Sequence, residues 1–283
     1  MQEIINFIKT QLQDLYPASE IKSFTYLIME SVCRFDKQSI LSGKDKQLSA
    51  NERMRIQEIV VELKNYRPIQ YILGETEFYS LKFQVNENVL IPRPETEELV
   101  DWIVSTYKLS GAHKMRCLDI GTGSGCIAVA LAKKLPNASV FALDISEKAL
   151  EVARKNAANN EVKISFFQQD ILKDSLENLP GKWDVIVSNP PYITPSEKKD
   201  MSKNVLDYEP DEALFTPQEN PLFFYERIAE IGLKRLEENG ALYFEINELY
   251  GKKNVEMLQS KGYGAVCLKK DIAGKDRMIN AKL

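Results

Sequence analysis

The chain has 283 residues, of which 44% are hydrophobic and 28% are charged, as in an ordinary globular protein. Its net charge of −4 argues against a protein that works mainly by neutralising a phosphate backbone. The four cysteines show no Cys-x-x-Cys spacing, so neither a metal site nor a disulfide framework is expected. We find no signal-peptide pattern and no run of about 18 apolar residues, and we therefore expect a cytoplasmic location.

The N-terminal segment, residues 1–74, predicts a small helical bundle because apolar residues recur at helical spacing. The sequence Ser49-Ala50-Asn51-Glu52 predicts a capping box that opens one of these helices. No catalytic constellation occurs in this segment. Docking of a partner and stabilisation of the fold are equal alternatives for its role.

A linker is expected at residues 75–92, where the pattern changes to that of strands. Segments 78–85 and 89–91 flank Asn86-Glu87-Asn88, and this arrangement predicts a β-hairpin with its turn at 86–88. Pro94 then suits the first turn of the helix predicted at 99–107.

The remainder, residues 93–283, alternates strands and helices, which is typical of an α/β domain with a mostly parallel sheet covered on both faces. A short loop joins the last two strands, so they are expected to be antiparallel to each other. The predicted strands are 115–120, 138–144, 162–168, 183–188, 240–246, 263–270 and 277–281.

The fourth of these strands is followed by Asn189-Pro190-Pro191-Tyr192. Asn189 has one carbonyl acceptor and one NH2 group, and the prolines have carbonyls but no N–H. Tyr192 offers an aromatic face. Together these residues are suited to hold a planar NH2 group by accepting both of its hydrogens, and ligands of open α/β sheets bind at such strand ends.

Three neighbouring strand ends predict a nucleoside site. The first carries the turn Gly121-Thr122-Gly123-Ser124-Gly125, which allows close backbone approach but matches neither a dinucleotide fingerprint nor a phosphate loop. The second carries Asp144, an acceptor for ribose hydroxyls, and the third carries Asp170 and Ile171, where adenine could rest. S-adenosylmethionine, a nucleoside with a methyl sulfonium and no phosphate, fits this pattern.

With these motifs, the chain resembles the protein-(glutamine-N5) methyltransferases that act on peptide chain release factors, the PrmC/HemK family. The similarity covers nearly the whole chain, and the Arg-Pro-Glu-Thr-Glu stretch is its most specific part. The matching stretches are 67–74, 89–97, the glycine turn, 144–146, 188–193, 209–210, 213–215 and 273–277.

The resemblance implies a Rossmann-like class I methyltransferase domain with a seven-stranded mixed sheet. It implies that release factors are the protein substrate, bound through a glutamine by Asn189, Pro190, Pro191 and Tyr192, and that the protein is a monomer. It assigns S-adenosylmethionine to Gly121 through Gly125, Asp144, Ile171 and Asn189. At Ile171 the family often has a larger aromatic residue, and Asn247 stands where it usually has glycine.

Two other interpretations remain open from the residues. The same tetrapeptide suits a methyltransferase acting on the exocyclic amine of adenine or guanine in nucleic acid, although the acidic pI speaks against it. A protein that binds the cofactor without catalysis is the third interpretation.

Overall fold

The computed structural model describes residues 2–35, 47–108, 115–173, 176, 179 and 181–283. The chain divides into two compact units. The first comprises Met1–Gly74 with Ser202–Tyr208, and the second comprises Glu75–Met201 with Glu209–Leu283.

The first unit is helical, as predicted. Its helices are α1 (Gln2–Leu12), α2 (Ala18–Cys33), α3 (Ala50–Lys64) and α4 (Ile69–Leu73), and the short helix Lys203–Leu206 belongs to the same unit. Their apolar faces form one buried core that includes Ile8, Ile28 and Ile59. The predicted capping box is confirmed, because Glu52 N–H donates to Ser49 Oγ and Ser49 N–H donates to the Glu52 carboxylate at 2.7 Å.

The hairpin prediction was wrong in the position of its strands and turn. Strands β1 (Glu75–Phe78) and β2 (Leu81–Gln84) pair antiparallel, so the turn lies at Tyr79–Ser80 and not at 86–88. Both turn residues have positive φ, 50° and 60°, which is the backbone of a tight two-residue hairpin turn.

Tertiary contacts explain why Tyr79 adopts a conformation that its side chain disfavours. Its N–H donates to the carboxylate of Glu97 at 3.0 Å, and its hydroxyl donates to Asp101 at 2.9 Å. The Asn86 side chain instead accepts the N–H of Asn88 in a local turn outside the hairpin. A prediction from the turn propensity of residues 86–88 alone therefore placed the hairpin turn at the wrong position.

The second unit contains the predicted seven-stranded mixed sheet. The strand order is β5-β4-β3-β6-β7-β9-β8, with β9 antiparallel to both of its neighbours and the other paired strands parallel. The strands are β3 (Arg116–Ile120), β4 (Ser139–Asp144), β5 (Ile164–Gln168), β6 (Trp183–Ser188), β7 (Leu236–Glu245), β8 (Ala265–Lys270) and β9 (Asp276–Lys282).

Helices cover both faces of this sheet. Alternate residues of β3 show the division, because Cys117 faces one buried apolar cluster and Leu118 the other. The longer helices are α5 (Pro94–Tyr107), α6 (Cys126–Lys134), α7 (Glu147–Asn159), α8 (Phe223–Arg235) and α9 (Gly251–Lys261), with shorter turns at Pro195–Asp200, Asp211–Leu214 and Glu248–Tyr250.

One boundary differs from prediction by several residues. Helix α8 ends at Arg235, and β7 begins directly afterwards at Leu236 rather than at Gly240. The pairing of β6 with β7 shifts register between Trp183 and Val185. A Cβ at Gly240 would lie 2.8 Å from the Trp183 carbonyl oxygen, so glycine permits this close approach.

Candidate active site

The carboxyl ends of three parallel strands meet at one edge of the sheet. Ile120 of β3 pairs with Leu143 of β4 on one side and with Ser188 of β6 on the other. The loops that follow these strands therefore lie side by side, as expected for a ligand site in an open α/β sheet. A cavity of about 630 Å³ lies at this edge. Its lining includes Gly121, Thr122, Gly123, Ser124, Asp144, Ile171, Asn189, Pro190 and Pro191.

Two residues of the predicted site do not line this cavity. Gly125 precedes α6 with a φ of 80°, and a Cβ there would lie 3.0 Å from the Cβ of Ala153. It serves the close packing of the turn against α7. Tyr192 packs against the apolar cluster that contains Ile186 and Phe244, and burial raises the pKa of its hydroxyl.

The glycine turn is bound to the neighbouring strand through backbone groups. The N–H groups of Gly121 and Thr122 both donate to the Leu143 carbonyl, at 2.9 and 3.0 Å. Gly121 and Gly123 have φ of 72° and 53°, and a Cβ at either position would meet no atom within 4 Å. The turn thus presents bare backbone to the cavity.

Asp144 joins this turn to the start of α7. One oxygen of its carboxylate accepts the N–H of Gly123 at 2.8 Å, and the other accepts the N–H of Ser146 at 3.0 Å. Burial raises the pKa of Asp144, while these hydrogen bonds oppose the shift. A carboxylate has about four lone-pair sites, so Asp144 can still accept a further donor from a ligand.

Asp119 was not predicted as a site residue, although it stands between the apolar residues Leu118 and Ile120 of β3. It is buried, and its Oδ2 accepts the hydroxyl of Thr122 at 2.6 Å. Its Oδ1 has no hydrogen-bond partner among the described residues. Burial raises the pKa of Asp119 to about 7, because a charged carboxylate is disfavoured away from water.

Two further polar residues that sequence reasoning did not assign lie next to Asn189, and one of them, Thr96, also lines the cavity. The Asn189 Nδ2 group lies 3.4 Å from the Thr96 hydroxyl, and that hydroxyl donates to Glu245 Oε2 at 2.5 Å. Thr96 and Glu245 are both buried. Burial raises the pKa of Glu245 to about 7. An acid at the end of a buried strand was the available signal for Glu245.

An ion pair fixes one wall of the cavity. Arg93 donates to Glu209 Oε1 at 2.6 Å, and Glu209 Oε2 also accepts the N–H of Ile91 at 3.2 Å. Both Arg93 and the neighbouring Pro210 line the cavity. Because Glu209 is buried with its charge paired, removal of either partner would leave an uncompensated charge.

The two departures from the family pattern cause no conflict in the backbone. Ile171 is buried at the cavity wall, and its carbonyl accepts Arg227 Nε at 2.6 Å. Asn247 has a φ of −66°, so glycine is not needed there, and its side chain accepts the N–H of Leu249 at 3.0 Å.

A second depression of about 660 Å³ lies at the opposite ends of β4 and β5, where Ser139 and Ile164 begin the strands. It contains none of the predicted site residues. Of these two cavities, only the one at the carboxyl edge of the sheet is lined by predicted site residues.

Comparison with known proteins agrees with this geometry. A family model described as the methyltransferase small domain matches residues 101–209, and one described as the PrmC N-terminal domain matches residues 3–74. Among solved structures, the catalytic domain of human Mettl16 in complex with a hairpin of the MAT2A 3′ untranslated region superposes with a TM-score of 0.56 at 17% identity, covering 83% of this chain and 86% of that one. This likeness bears on the fold only. Sheet order and family model together define a Rossmann-like methyltransferase.

The particular family follows from the full-length relatives. A release factor glutamine methyltransferase of Flavobacterium psychrophilum is 49% identical over 95% of this chain and 94% of its own length. One of Bacteroides thetaiotaomicron is 47% identical over 99% of both chains, and one of Bacillus subtilis is 36% identical over 99% and 98%. The chain belongs to the release factor glutamine methyltransferase family, which confirms the resemblance found in the sequence.

S-adenosylmethionine is the cofactor of such a methyltransferase, as the sequence predicted. The site fits it in three respects. The cavity has room for a nucleoside with an amino-acid tail, the glycine turn places no side chain in the way, and Asp144 retains acceptor capacity. Within the described part of the chain, no helix is long and apolar enough to span a membrane.

Proposed function

We propose that this chain transfers a methyl group from S-adenosylmethionine to the side-chain amide nitrogen of the glutamine in the Gly-Gly-Gln motif of peptide chain release factors. One observation carries the proposal. Asn189, Pro190 and Pro191 line the same cavity as the glycine turn and Asp144, so an amide held by the first group would meet a donor held by the second. The identity of the full-length relatives supports the choice of substrate.

In this proposal the cofactor occupies the end of the cavity formed by β3, β4 and the segment after β5. The backbone of Gly121 and Gly123 lies against its amino-acid part, Asp144 accepts from the ribose hydroxyls, and Ile171 contacts the adenine. S-adenosylmethionine supplies a methyl group activated by its positively charged sulfur. Gly125 contributes through the shape of the turn, since it does not line the cavity.

The substrate amide is a weak nucleophile, because its nitrogen lone pair is delocalised into the carbonyl group. We assign Asn189 Oδ1 and the Pro190 carbonyl as the acceptors of its two N–H groups. Both acceptors orient the nitrogen and reduce its conjugation, which are effects of proximity and of preorganised dipoles. Tyr192 packs on the apolar cluster beneath this turn and would hold it from the core side.

The atoms balance without a dedicated base. A carbon–nitrogen bond forms as the carbon–sulfur bond breaks, and the methylated amide nitrogen then carries an extra proton. That proton is strongly acidic and leaves to water. The sulfonium charge is lost with the methyl group, so no further reactant is needed.

A parallel incubation tests the substrate class. Protein and methyl-labelled S-adenosylmethionine are mixed with a purified bacterial release factor in one reaction and with total RNA or duplex DNA in others. We expect label in the release factor alone, and no shift of either nucleic acid in a gel at moderate salt. Label in nucleic acid would support the exocyclic-amine alternative, and label in neither would contradict the proposal.

We further assign the cytoplasm as the place of action and the monomer as the working form, with the helical N-terminal unit as the docking element for the release factor. This unit matches the PrmC N-terminal domain over residues 3–74, and docking is the role that we assign to it. Sedimentation of the protein with and without a release factor tests the last two assignments. A dimer of this chain in the absence of substrate would contradict the monomer.

A further inference from the structure

Three polar side chains from separate elements form a hydrogen-bonded series that runs from the cavity lining, at Asn189 and Thr96, to the buried Glu245. Asn189 follows β6, Thr96 lies in the first turn of α5, and Glu245 ends β7. The hydroxyl of Thr96 lies 2.5 Å from Glu245 Oε2 and 3.4 Å from Asn189 Nδ2. Thr96 and Glu245 are each about 2% exposed, so water does not compete for these contacts.

The directions of these hydrogen bonds follow from the chemistry of the groups. An ionised carboxylate can only accept, and a hydroxyl has a single proton to donate. Once Thr96 gives that proton to Glu245, its oxygen can only accept from Asn189. The Asn189 atom that faces Thr96 is therefore the NH2 group, and its carbonyl oxygen points the other way.

The acceptor end of the chain is held in place by its surroundings. The Tyr225 hydroxyl donates to the backbone carbonyl of Glu245 at 3.0 Å, and Glu245 pairs with Met278 of the neighbouring β9. Arg277 on β9 attracts the Glu245 carboxylate, while Glu95 on α5 repels it. A carboxylate with this support keeps one orientation.

We propose that Thr96 and Glu245 are positioning residues that fix the Asn189 carboxamide with its carbonyl oxygen toward the substrate NH2 group. This inference rests on the proposed function. The two residues act through Asn189 and have no direct part in methyl transfer.

The orientation matters because the two ends of a carboxamide have opposite hydrogen-bonding character. A rotated Asn189 would present its NH2 group to the NH2 group of the substrate, and neither could accept from the other. The substrate nitrogen would then lose one of its two acceptors and keep its conjugation. A carboxamide without the Thr96 contact is free to populate both orientations.

Steady-state kinetics with matched variants test the role of the hydroxyl. In Thr96→Val the shape is retained without the hydroxyl, and we expect kcat to fall about 10- to 100-fold, less than the roughly 100- to 1000-fold loss for a preorganised group that contacts the reacting atoms. Thr96→Ser restores the hydroxyl and should recover most of kcat. The Kd for S-adenosylmethionine should change less than about twofold in both, because neither residue is assigned to the cofactor.

Thr106→Val is the control for loss of a threonine hydroxyl on the same helix, since the Thr106 hydroxyl donates to the Trp102 carbonyl at 2.8 Å and Thr106 does not line the cavity. Its kcat should equal that of the unmodified protein. Glu245→Gln should lower kcat in the same direction, because only one of the two terminal atoms of a carboxamide can accept from Thr96. Combining Thr96→Val with Asn189→Ala should give no further loss beyond Asn189→Ala alone.

A measurement without turnover separates this inference from the proposed function. In protein labelled with ¹⁵N asparagine, the Asn189 side-chain NH2 signals are identified by their absence in Asn189→Ala. We expect slow exchange with water in the unmodified protein, and a changed shift with faster exchange in Thr96→Val. Unchanged signals, or full activity of Thr96→Val, would overturn the inference. Absence of release factor methylation by the unmodified protein would instead contradict the proposed function.

Discussion

The carboxylate of Asp144 accepts the backbone N–H of Gly123 at 2.8 Å, which joins the end of β4 to the glycine turn after β3. One acidic side chain thus shapes the turn and faces the cavity beside it. The arrangement explains why an acid is needed at this strand end before any ligand is bound. It also means that a change at Asp144 acts on both parts of the proposed cofactor site.

Replacement of Asp144 by alanine should weaken S-adenosylmethionine binding about 10- to 100-fold, because hydrogen bonds to a charged group contribute roughly 1.5–3 kcal/mol. Isothermal titration calorimetry measures the effect. The control is Glu147→Ala, which removes an exposed acidic residue three positions away. Equal affinity in Asp144→Ala and the control would contradict the assignment of Asp144 to the ribose.

The glycine turn offers a comparison between two positions with the same backbone requirement. Gly123 and Gly125 both have positive φ, which disfavours alanine by about 1–2 kcal/mol. Only at Gly125 would the new Cβ also press on Ala153, at 3.0 Å. We therefore expect Gly125→Ala to lower the free energy of unfolding more than Gly123→Ala, as measured by urea denaturation.

The same pair should separate stability from binding. Gly123 lines the cavity and Gly125 does not. Gly123→Ala should therefore reduce the affinity for S-adenosylmethionine more than Gly125→Ala does. A larger loss of affinity in Gly125→Ala than in Gly123→Ala would show that the third glycine, and not the second, lies against the ligand.

The pH dependence of turnover should reflect Glu245. Burial raises its pKa to about 7, with Arg277 opposing and Glu95 adding to the shift, and Tyr192 also faces it. When protonated, Glu245 can donate to Thr96, and the Thr96 hydroxyl can then donate to the Asn189 carbonyl. Both hydrogen bonds then run in the opposite direction, and the Asn189 carboxamide is rotated. We expect kcat to rise with pH through about 7, and Glu245→Gln to lack this rise at a low, constant rate.

Stability should depend on pH in the opposite sense. Asp119 has a pKa raised from its ordinary value of 3.8 to about 7, so the native state retains a proton that the unfolded chain has lost. The stability that this proton provides is fully present below the ordinary value and is lost as the pH rises to about 7. The slope is at most about 1.4 kcal/mol per pH unit for one such group.

Urea denaturation across this pH range checks the effect. The free energy of unfolding of Asp119→Asn should fall less steeply with rising pH than that of the unmodified protein, since asparagine cannot lose a proton. Glu245→Gln should reduce the slope in the same way. Identical slopes in all three proteins would contradict the raised pKa of both carboxyl groups.

The fold was predictable because strand and helix periodicity persist through residues 115–281. Alternation of β and α elements dictated a parallel sheet, and the short loop between β8 and β9 dictated their antiparallel pairing. The hairpin was misplaced because its turn is stabilised by Glu97 and Asp101. These two residues lie outside the hairpin, so its own sequence does not reveal the contacts. Gly240 was taken for a boundary, although it permits an irregular register inside β7.

The site shows the same division between local and distant information. Glycines, acids and the Asn-Pro-Pro run at strand ends could be recognised locally, and most of them line one cavity. Tyr192 could not be placed, because the direction of its side chain depends on the apolar cluster beneath it. Thr96 and Glu245 lie 149 residues apart in sequence, so only the folded chain brings them into contact.

Mass mapping of a methylated release factor tests the central claim most directly. A release factor is incubated with S-adenosylmethionine and either the unmodified protein or Asn189→Ala, digested, and sequenced by tandem mass spectrometry. We predict one added methyl group on the glutamine of the Gly-Gly-Gln peptide with the unmodified protein. With Asn189→Ala the rate should fall at least about 100-fold, which is the usual loss when one preorganised polar group is removed. A methyl group on another residue, or equal rates with the two proteins, would contradict the account.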